Sequence, residues 1–252
     1  MSKNPAWRRY LQEVTAIQAK IQESQGERIE AAADLLSHCL ENKGLIHVFG
    51  VGHSSILAEE VNWRAATLAS IHAILEPSMT GQFEVTKSGF MEKLEGSGEI
   101  ITAYHRLAPP DAIIIASNSG NNGAPIEVAA ACRKRGVKVI AITSVTYSDY
   151  LNPLHSSGKK LKDLADVVVD NCCPIGDGAI RLEGLEQTVG PTSTAAGIPI
   201  LNAILAQTVE NLLARGHSPE VYFNGSLSAN SPAVAEHNQQ LVDKYFSRIR
   251  NL

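Results

Sequence analysis

The 252-residue sequence has no excess of positive charge, no long apolar run and no pair of cysteines spaced for metal binding. Because a membrane span needs roughly 20 apolar residues in a row, we expect no membrane contact. A net charge of −4 at pH 7 argues against a nucleic-acid partner, whose binding surface is usually basic. Residues 1–20 carry charges and glutamines rather than a signal-peptide pattern, so we expect a cytoplasmic protein.

The four cysteines form no C-x-x-C motif, and they are Cys39, Cys132, Cys172 and Cys173. Cys172 and Cys173 are adjacent and make a poor metal clamp. We therefore predict reduced, partly buried thiols, with a catalytic thiol as the alternative. No metal and no cofactor are predicted.

The sequence does contain an alternation of short apolar runs and helical patterns. Five runs predict strands, at residues 45–49, 70–75, 112–116, 137–143 and 167–170. Near-continuous apolar strands separated by helices indicate a parallel sheet covered on both faces. We therefore predict an α/β fold, a three-layer sandwich around a five-stranded parallel sheet.

Helical patterns surround and connect these strands. We predict helices at residues 4–43 with a break at Gly26, then at 56–68, 90–94, 100–107, 124–135, 193–215 and from 232. The chain then divides into an N-terminal helical arm at 1–44, a domain at 45–218 and a C-terminal arm at 219–252. We expect both arms to belong to one overall domain, and the long first arm to need a partner surface in a homodimer.

A loop of small polar residues directly follows the third predicted strand, at residues 117–123 (SNSGNNG). Hydroxyls and free backbone N–H groups before a helix suit a phosphate monoester. The first strand is likewise followed by residues 50–55 (GVGHSS), and residues 192–194 (TST) precede the last long helix of the domain. Ligands of parallel sheets bind at the carboxyl ends of the strands, so we expect these loops at one edge.

Two other interpretations of these loops stay open. The G-x-G of residues 50–52 is typical of a dinucleotide site, with Glu76 placed to hold a ribose hydroxyl, but Ser55 stands where the third glycine belongs. Ordinary turn chemistry also favours Ser, Asn and Gly between strands and helices.

Taken together, the three loops resemble the sugar isomerase (SIS) domain across roughly residues 5–215. Residues 52–60, 155–161 and 190–194 are similar to bacterial SIS proteins described as phosphosugar or phosphoheptose isomerases. The resemblance implies a flavodoxin-like fold and a small-molecule sugar phosphate as the partner. The ligand-binding residues that we predict are Ser54, Ser55, Arg64, Ser117, Asn118, Ser119, Asn122, His155, Thr192 and Ser193.

Aldose–ketose isomerisation needs a base near the second carbon of the sugar and a group that moves oxygen-bound protons. Helical spacing places His53, Glu60 and Arg64 near one face, so we predict Glu60 as the base. His53 or His237 would then handle the oxygen protons, and Glu95 would line the site. A solvated pair between Glu60 and Arg64 is the alternative.

The remaining acidic and histidine candidates receive structural interpretations. Glu84 and Glu92 are expected to be solvated, Asp177 to cap a turn, and His105 to lie away from the sheet edge. An ungapped alignment from Ser54 puts the family's glutamate at Arg64, whereas a four-residue gap aligns residues 58–60 with the Ala-Glu-Glu of the isomerases. We predict an isomerase acting through an enediol, with a phosphosugar sensor or an amino-sugar-phosphate lyase or etherase as alternatives.

Overall fold

The structure, a computed structural model, describes residues 4–82 and 84–250. Residues 1–3 of the predicted N-terminal arm and 251–252 of the C-terminal arm lie outside the described residues. The helices are α1 Ala6–Ser24, α2 Gly26–Glu41, α3 Ser55–Glu60, α4 Val85–Met91, α5 Ser97–Tyr104, α6 Gly123–Arg135, α7 Val145–Tyr150, α8 Ser193–Ala214 and α9 Pro232–Tyr245. The strands are β1 Ile46–Gly50, β2 Ile71–Ile74, β3 Ala112–Ala116, β4 Lys138–Thr143, β5 Val167–Asp170, β6 Gly178–Ile180 and β7 Val189–Pro191.

Strands β1 to β5 form a parallel sheet in the order β2-β1-β3-β4-β5, which confirms the predicted α/β fold. The three central strands are buried on both faces, which is why they read as continuous apolar runs. Gly50 pairs with Ala116, and Thr143 pairs with Asp170. The carboxyl ends of these four strands are therefore level, and the loops that follow them share one edge.

Helices cover the sheet on both faces. On one face, Leu36 of α2, Leu57 of α3 and Leu201 of α8 pack in a core with alternate strand residues such as Val48 and Ile114. The other face buries Ile101 of α5 and Ile126 of α6 against strand residues that include Phe49 and Ile115. The alternation of side chains along each strand supplies both cores.

Helix α8 departs from one sequence expectation. Among the described residues it is the one helix long and apolar enough to cross a membrane by length and composition. Ile200, Leu201 and Ile204 on its inner side are nevertheless fully buried in the first core, against the sheet. A core helix of a globular fold meets the same criterion, and this one packs extensively on α2.

The helix predicted at residues 56–68 is shorter than expected, because α3 ends at Glu60. Trp63 and Ala66 adopt left-handed backbone conformations, with φ of 43° and 62°, which end an α-helix. The N–H of Ala66 donates instead to the carbonyl of Tyr222, 2.8 Å away, in the C-terminal segment. A distant segment of the chain thus replaces the helical hydrogen bonds that the local pattern favours.

The C-terminal segment packs near the amino ends of β1 and β2. Tyr222, Leu241 and Tyr245 form a small core with Leu45 and Ala69. Leu45 directly precedes β1, and Ala69 lies two residues before β2. This is the edge opposite to the polar loops. Residues of α9 therefore lie far along the sheet from the predicted phosphate site of the same chain.

A row of histidines crosses the second face of the sheet. His47 Nε2 lies 3.2 Å from Asp111 Oδ2, His72 Nε2 lies 3.3 Å from His105 Nδ1, and His105 Nε2 lies 3.0 Å from Glu76 Oε1. His47 and His72 are register partners on adjacent strands, and their ring centroids are 5.1 Å apart. We call these five residues the buried histidine row.

Burial shifts the pKa values of two imidazoles in this row. It lowers the pKa of His72 to about 2 and also lowers the pKa of His47. Burial alone raises the pKa of Asp111, but hydrogen bonds from His47 and from the N–H of Leu45 hold that pKa below its ordinary value. His105 packs on the face of the sheet against His72 of β2, and its partner Glu76 follows the carboxyl end of that strand.

Candidate functional site

A shallow cleft, with a cavity volume of about 10 Å³ and open to solvent, lies at the carboxyl edge of the sheet. Its lining is Ser54, Leu57, Ala116, Ser117, Asn118, Ile142, Asn171, Ser193, Thr194 and Gly197. Four of the residues predicted to bind the ligand, Ser54, Ser117, Asn118 and Ser193, therefore meet there. They come from three different segments, namely the turn after β1, the loop after β3 and the start of α8.

Two glycines give the loops their shape. At Gly50 a Cβ would lie 2.3 Å from the carbonyl oxygen of Ser54, so only glycine allows the chain to fold back into α3. Gly120 has a φ of 61°, and a Cβ there would lie 3.0 Å from Thr143 Oγ1. The N–H of Gly120 donates at 3.2 Å to Ser117 Oγ, which holds the hydroxyl of Ser117 inside the turn.

The cleft offers neutral polar groups to a ligand. Asn171 Nδ2 donates to Asn118 Oδ1 at 2.9 Å, so the two amides orient each other. The N-termini of α6 and α8 begin beside them, and the positive end of a helix dipole favours an anion. As far as the described residues show, the lining contains no lysine or arginine. An anion would thus be held by hydroxyls, amides and backbone N–H groups.

Sequence reasoning missed Asn171. The available signal was its position, since it directly follows Asp170, the last residue of β5, at the same edge as the two polar loops. It is 3% exposed, and its Oδ1 accepts the N–H of Cys173 at 3.0 Å. The carbonyl oxygen of the Asn171 amide therefore stabilises its own turn, and the NH₂ group of the same amide positions Asn118.

At the start of α8 a carboxylate occupies the donors that were predicted to bind phosphate. Asp177 Oδ1 accepts the N–H groups of Thr192 at 2.9 Å and Ser193 at 2.7 Å, and Ser193 Oγ donates to Asp177 Oδ2 at 2.9 Å. The Thr192 hydroxyl also donates to Asp177, and Thr192 is 1% exposed. The prediction that Thr192 contacts the ligand is therefore wrong, because its donors already serve a cap.

Three more predicted ligand residues differ in their availability. Ser55 is fully buried and donates to Glu59 Oε1 at 3.2 Å, so its placement at the ligand is wrong. Ser119 Oγ accepts the N–H of Asn121 at 3.4 Å and stays half-buried beside the cleft. Asn122 is the N-cap residue of α6, but its side chain makes no capping bond there.

The side chain of Asn122 instead lies close enough to the carboxyl of Glu92 to lower its pKa. The carbonyl of Glu92 accepts the N–H of Ala124 at 3.0 Å, which fastens this segment to the first turn of α6. Glu92 Oε2 also lies 3.5 Å from the point that a Cβ on Gly52 would occupy. The carboxyl group thus lies between the first and second polar loops, and the expectation of a solvated Glu92 is wrong.

Burial raises the pKa of Glu92, while Lys93 and Asn122 lower it by less. A carboxyl group with a raised pKa beside a cleft of hydrogen-bond donors is a candidate acid or base. Its local sequence gave no signal, because Glu84, Glu92 and Glu95 share one glutamate-rich segment.

The predicted catalytic residues are only partly brought together. Glu60 Oε2 lies 3.3 Å from Arg64 Nη1 and Glu60 Oε1 lies 3.5 Å from Asn202 Nδ2, which is the pairing foreseen as the alternative. Glu60 and Arg64, like Glu92, are not part of the cleft lining. His53 is exposed on the single turn that carries Ser54, so it remains beside the site.

His237 does not reach the cleft of its own chain. Its Nε2 lies 3.1 Å from the carbonyl of Val221, and its ring packs on Phe223 with centroids 4.8 Å apart. Val221 bridges to Leu68 before β2, at the amino edge of the sheet. Within one chain the predicted role of His237 is therefore wrong.

Glu95 and His155 lie together outside the cleft. With Glu127 of α6 they form a group that we call the rim cluster, in which one potential ligand atom from each residue lies within 4.8 Å of the others. The backbone N–H of Ser156 donates to Glu95 Oε1 at 2.7 Å, and Ser156 Oγ donates to the other oxygen. These hydrogen bonds hold the pKa of Glu95 below its ordinary value.

The polar loops after β1 and β3 both fall within residues 9–144, which match the SIS domain as a family. This chain belongs to the SIS domain family. A UPF0309 protein of Caldanaerobacter subterraneus subsp. tengcongensis is 38% identical to this SIS protein over 246 residues, covering 96% of this chain and 98% of that one. The resemblance inferred from the loops is thereby confirmed.

Two solved structures share the fold of this SIS protein. A phosphoheptose isomerase from Francisella tularensis has a TM-score of 0.53 and 15% identity, over 83% of this chain and all (100%) of that one. The Vibrio vulnificus NanR protein complexed with ManNAc-6P has a TM-score of 0.50 and 16% identity, over 99% of this chain and 72% of that one. At these identities the likeness shows the fold alone.

Proposed function

We propose that this SIS protein binds a sugar phosphate in the cleft and interconverts its aldose and ketose forms through an enediol. Ser54, Ser117, Asn118 and the N-terminus of α6 hold the phosphate, since they place neutral donors and a helix dipole at one point. The NanR protein of the same fold binds ManNAc-6P, a sugar phosphate, which supports this ligand class.

The observation that carries the proposal is the carboxyl of Glu92. It stands between Gly52 and Asn122, and its pKa is raised by burial, so it can both take and return a proton. Glu60, the base predicted from the sequence, is engaged by Arg64 and Asn202. Glu92 is therefore the better placed base.

Glu92 removes a proton from the carbon next to the carbonyl of the open sugar, which leaves an enediol. The same carboxyl group returns that proton to the neighbouring carbon, so the two forms interconvert without net proton change. His53, exposed beside Ser54, moves the proton between the two sugar oxygens.

The test screens the protein against pentose, hexose, heptose and amino-sugar phosphates by thermal shift, then follows proton exchange at the second carbon in heavy water. Glu92→Gln should lower the exchange rate by about 10²-fold or more, because a general base contributes roughly 10²–10⁴-fold. Glu84→Gln is the matched control, since Glu84 is exposed on the same segment and pairs with Lys87. Ser117→Ala should weaken phosphosugar binding about tenfold through the loss of one hydroxyl.

Each outcome separates the candidate functions. Exchange with ketose formation that Glu92→Gln abolishes and Glu84→Gln keeps supports the isomerase. Binding without exchange identifies a sensor, and loss of a substituent identifies a lyase. Full exchange in Glu92→Gln together with its loss in Glu60→Gln would return the role of base to Glu60.

A further inference from the structure

The rim cluster joins three segments that flank the cleft. Glu95 lies between α4 and α5, Glu127 in the second turn of α6, and His155 in the loop after α7. The side chain of Glu95 is 41% exposed, whereas those of Glu127 and His155 are only 17% and 11% exposed. The cluster is thus reachable from solvent on one side and enclosed on the other.

The imidazole of His155 carries an unused nitrogen. Its Nε2 is buried and has no hydrogen-bond partner among the described residues. The atom faces Glu127 Oε1 at 3.6 Å and Glu95 Oε2 at 3.8 Å, both too long for a hydrogen bond. Two ligands bound to one Zn²⁺ at about 2.1 Å each lie about 3.4–3.7 Å apart for bond angles between tetrahedral and trigonal. The observed spacing therefore suits a shared metal ion better than a direct bond.

The other ring nitrogen is already held in place. His155 Nδ1 lies 2.7 Å from Ser157 Oγ and accepts the backbone N–H of Ser157 at 3.2 Å, so without an ion the ring proton sits on Nε2. A cation on Nε2 displaces this proton to Nδ1, which then donates to Ser157 Oγ in place of accepting the 3.2 Å bond from the Ser157 N–H. Metal-binding histidines commonly have such a partner for the second nitrogen.

The two carboxylates are also oriented before any ion binds. Both oxygens of Glu127 accept the N–H of Gly96, at 2.6 and 2.7 Å, and Oε2 accepts the N–H of Gly98 at 3.1 Å. Glu95 is held by Ser156. Among the described residues, neither carboxylate forms an ion pair with a lysine or arginine. The cluster therefore concentrates two negative charges that no fixed cation neutralises.

We propose that Glu95, Glu127 and His155 bind one divalent transition-metal ion, with Zn²⁺ as the ion of matching ligand chemistry. One imidazole and two carboxylates leave at least one position for water. Leu154, next to His155, donates its N–H to Asn121 Oδ1 at 3.2 Å, so the ion would fasten the loop after α7 to the phosphate loop and to the segment that carries Glu92. This site does not rest on the proposed isomerase activity, because it lies outside the cleft.

The test uses the full chain stripped with a chelator and titrated calorimetrically with ZnCl₂, with MnCl₂ in a second series. We expect one Zn²⁺ per chain, and X-ray absorption should show one imidazole and otherwise oxygen ligands. His155→Ala and Glu95→Gln should each weaken binding more than about tenfold, and Ser157→Ala about tenfold, as for other residues that orient metal ligands. Glu99→Gln is the matched control, because this nearby glutamate is exposed and pairs with Lys134 and Arg135.

The result that overturns the proposal is an absence of Zn²⁺ and Mn²⁺ binding at 1:1 stoichiometry in wild type. Equal affinity in wild type, His155→Ala and Glu95→Gln would overturn it as well, since the ion would then lie elsewhere. Glu95 is partly exposed, so Glu95→Gln keeps the test valid if His155→Ala unfolds, which circular dichroism reports. Loss of isomerase activity with intact Zn²⁺ binding would count against the proposed function and leave the metal site standing.

Discussion

The buried histidine row and the rim cluster use the same residue types in opposite ways. In the row, three imidazoles lie between two carboxylates at opposite ends, and each carboxylate is within 3.0–3.2 Å of one ring. In the rim cluster a single imidazole faces two carboxylates from 3.6 and 3.8 Å. Placement and burial, more than residue type, therefore decide whether histidine and carboxylate side chains support the fold or can hold a cation.

The largest expected effect comes from breaking the row at Asp111. Asp111→Ala removes the acceptors of His47 Nε2 and of the Leu45 N–H, both buried. Because each buried polar group left unpaired costs about 1–3 kcal/mol, we expect the free energy of unfolding to fall by about 3 kcal/mol in urea titrations. Glu95→Gln in the rim cluster should change it by less than about 1 kcal/mol, as surface substitutions usually do. Equal losses in the two variants would erase the distinction between the two groups.

A smaller effect should appear in the pH dependence of stability. His72 has a pKa of about 2 in the folded protein, against an ordinary value of 6.5. Between these two pH values the unfolded chain binds more protons than the folded chain. The contribution of His72 to the free energy of unfolding is therefore fully present above about pH 6.5 and falls by about 1.4 kcal/mol per pH unit below it. We expect His72 to account for about 2 kcal/mol of lost stability at pH 5.

Urea titrations between pH 5 and 7 measure this slope. His72→Leu should flatten it, whatever its own stability at pH 7. Ser117→Ala, which removes no titrating group, should keep the wild-type slope. An unchanged slope in His72→Leu would show that burial does not hold the His72 imidazole neutral.

The smallest expected effect is the stabilisation of the folded chain by Zn²⁺ bound at the rim cluster. At free Zn²⁺ about tenfold above its Kd, binding to the folded chain alone should raise the free energy of unfolding by about 1.4 kcal/mol. His155→Ala should abolish this gain, whereas His72→Leu should keep it, because the row offers no pair of carboxylates to one ring. A gain that survives in His155→Ala but disappears in His72→Leu would reverse the assignment of the two groups.

Strand positions were predictable because β1, β3 and all of β4 after the exposed Lys138 are buried, and a buried parallel strand leaves a continuous apolar run in the sequence. The end of α6 was equally clear, since Gly136 takes a left-handed φ of 79° directly after three cations. The end of α3 was not predictable. Its last expected turns are replaced by a bond from Ala66 to Tyr222, a contact between distant parts of the chain.

The candidate site likewise has residues that could be predicted from the sequence and residues that could not. Ser54, Ser117 and Asn118 were found because they belong to the polar loops that follow β1 and β3, and the sheet topology fixes where these strands end. Glu92, Asn171 and the capping of α8 by Asp177 depend on how loops fold over that edge, which periodicity does not encode. Glu95 and Glu92 have the same local sequence context, and only the packing of their segment on α6 separates the two.

The cap that Asp177 places on α8 gives the cleft a polarity along its length. The carboxyl of Asp177 lies one side chain behind Ser193, while the start of α6 has no side-chain cap. Like charges repel, so if the proposed function holds we expect the phosphate of the ligand on the side of Ser54 and Ser117, with its neutral hydroxyls towards Ser193. The carboxyl of Asp177 thus occupies the place of a bound anion at the start of α8. We expect it to orient an incoming phosphorylated ligand before the reacting carbon of that ligand makes any contact.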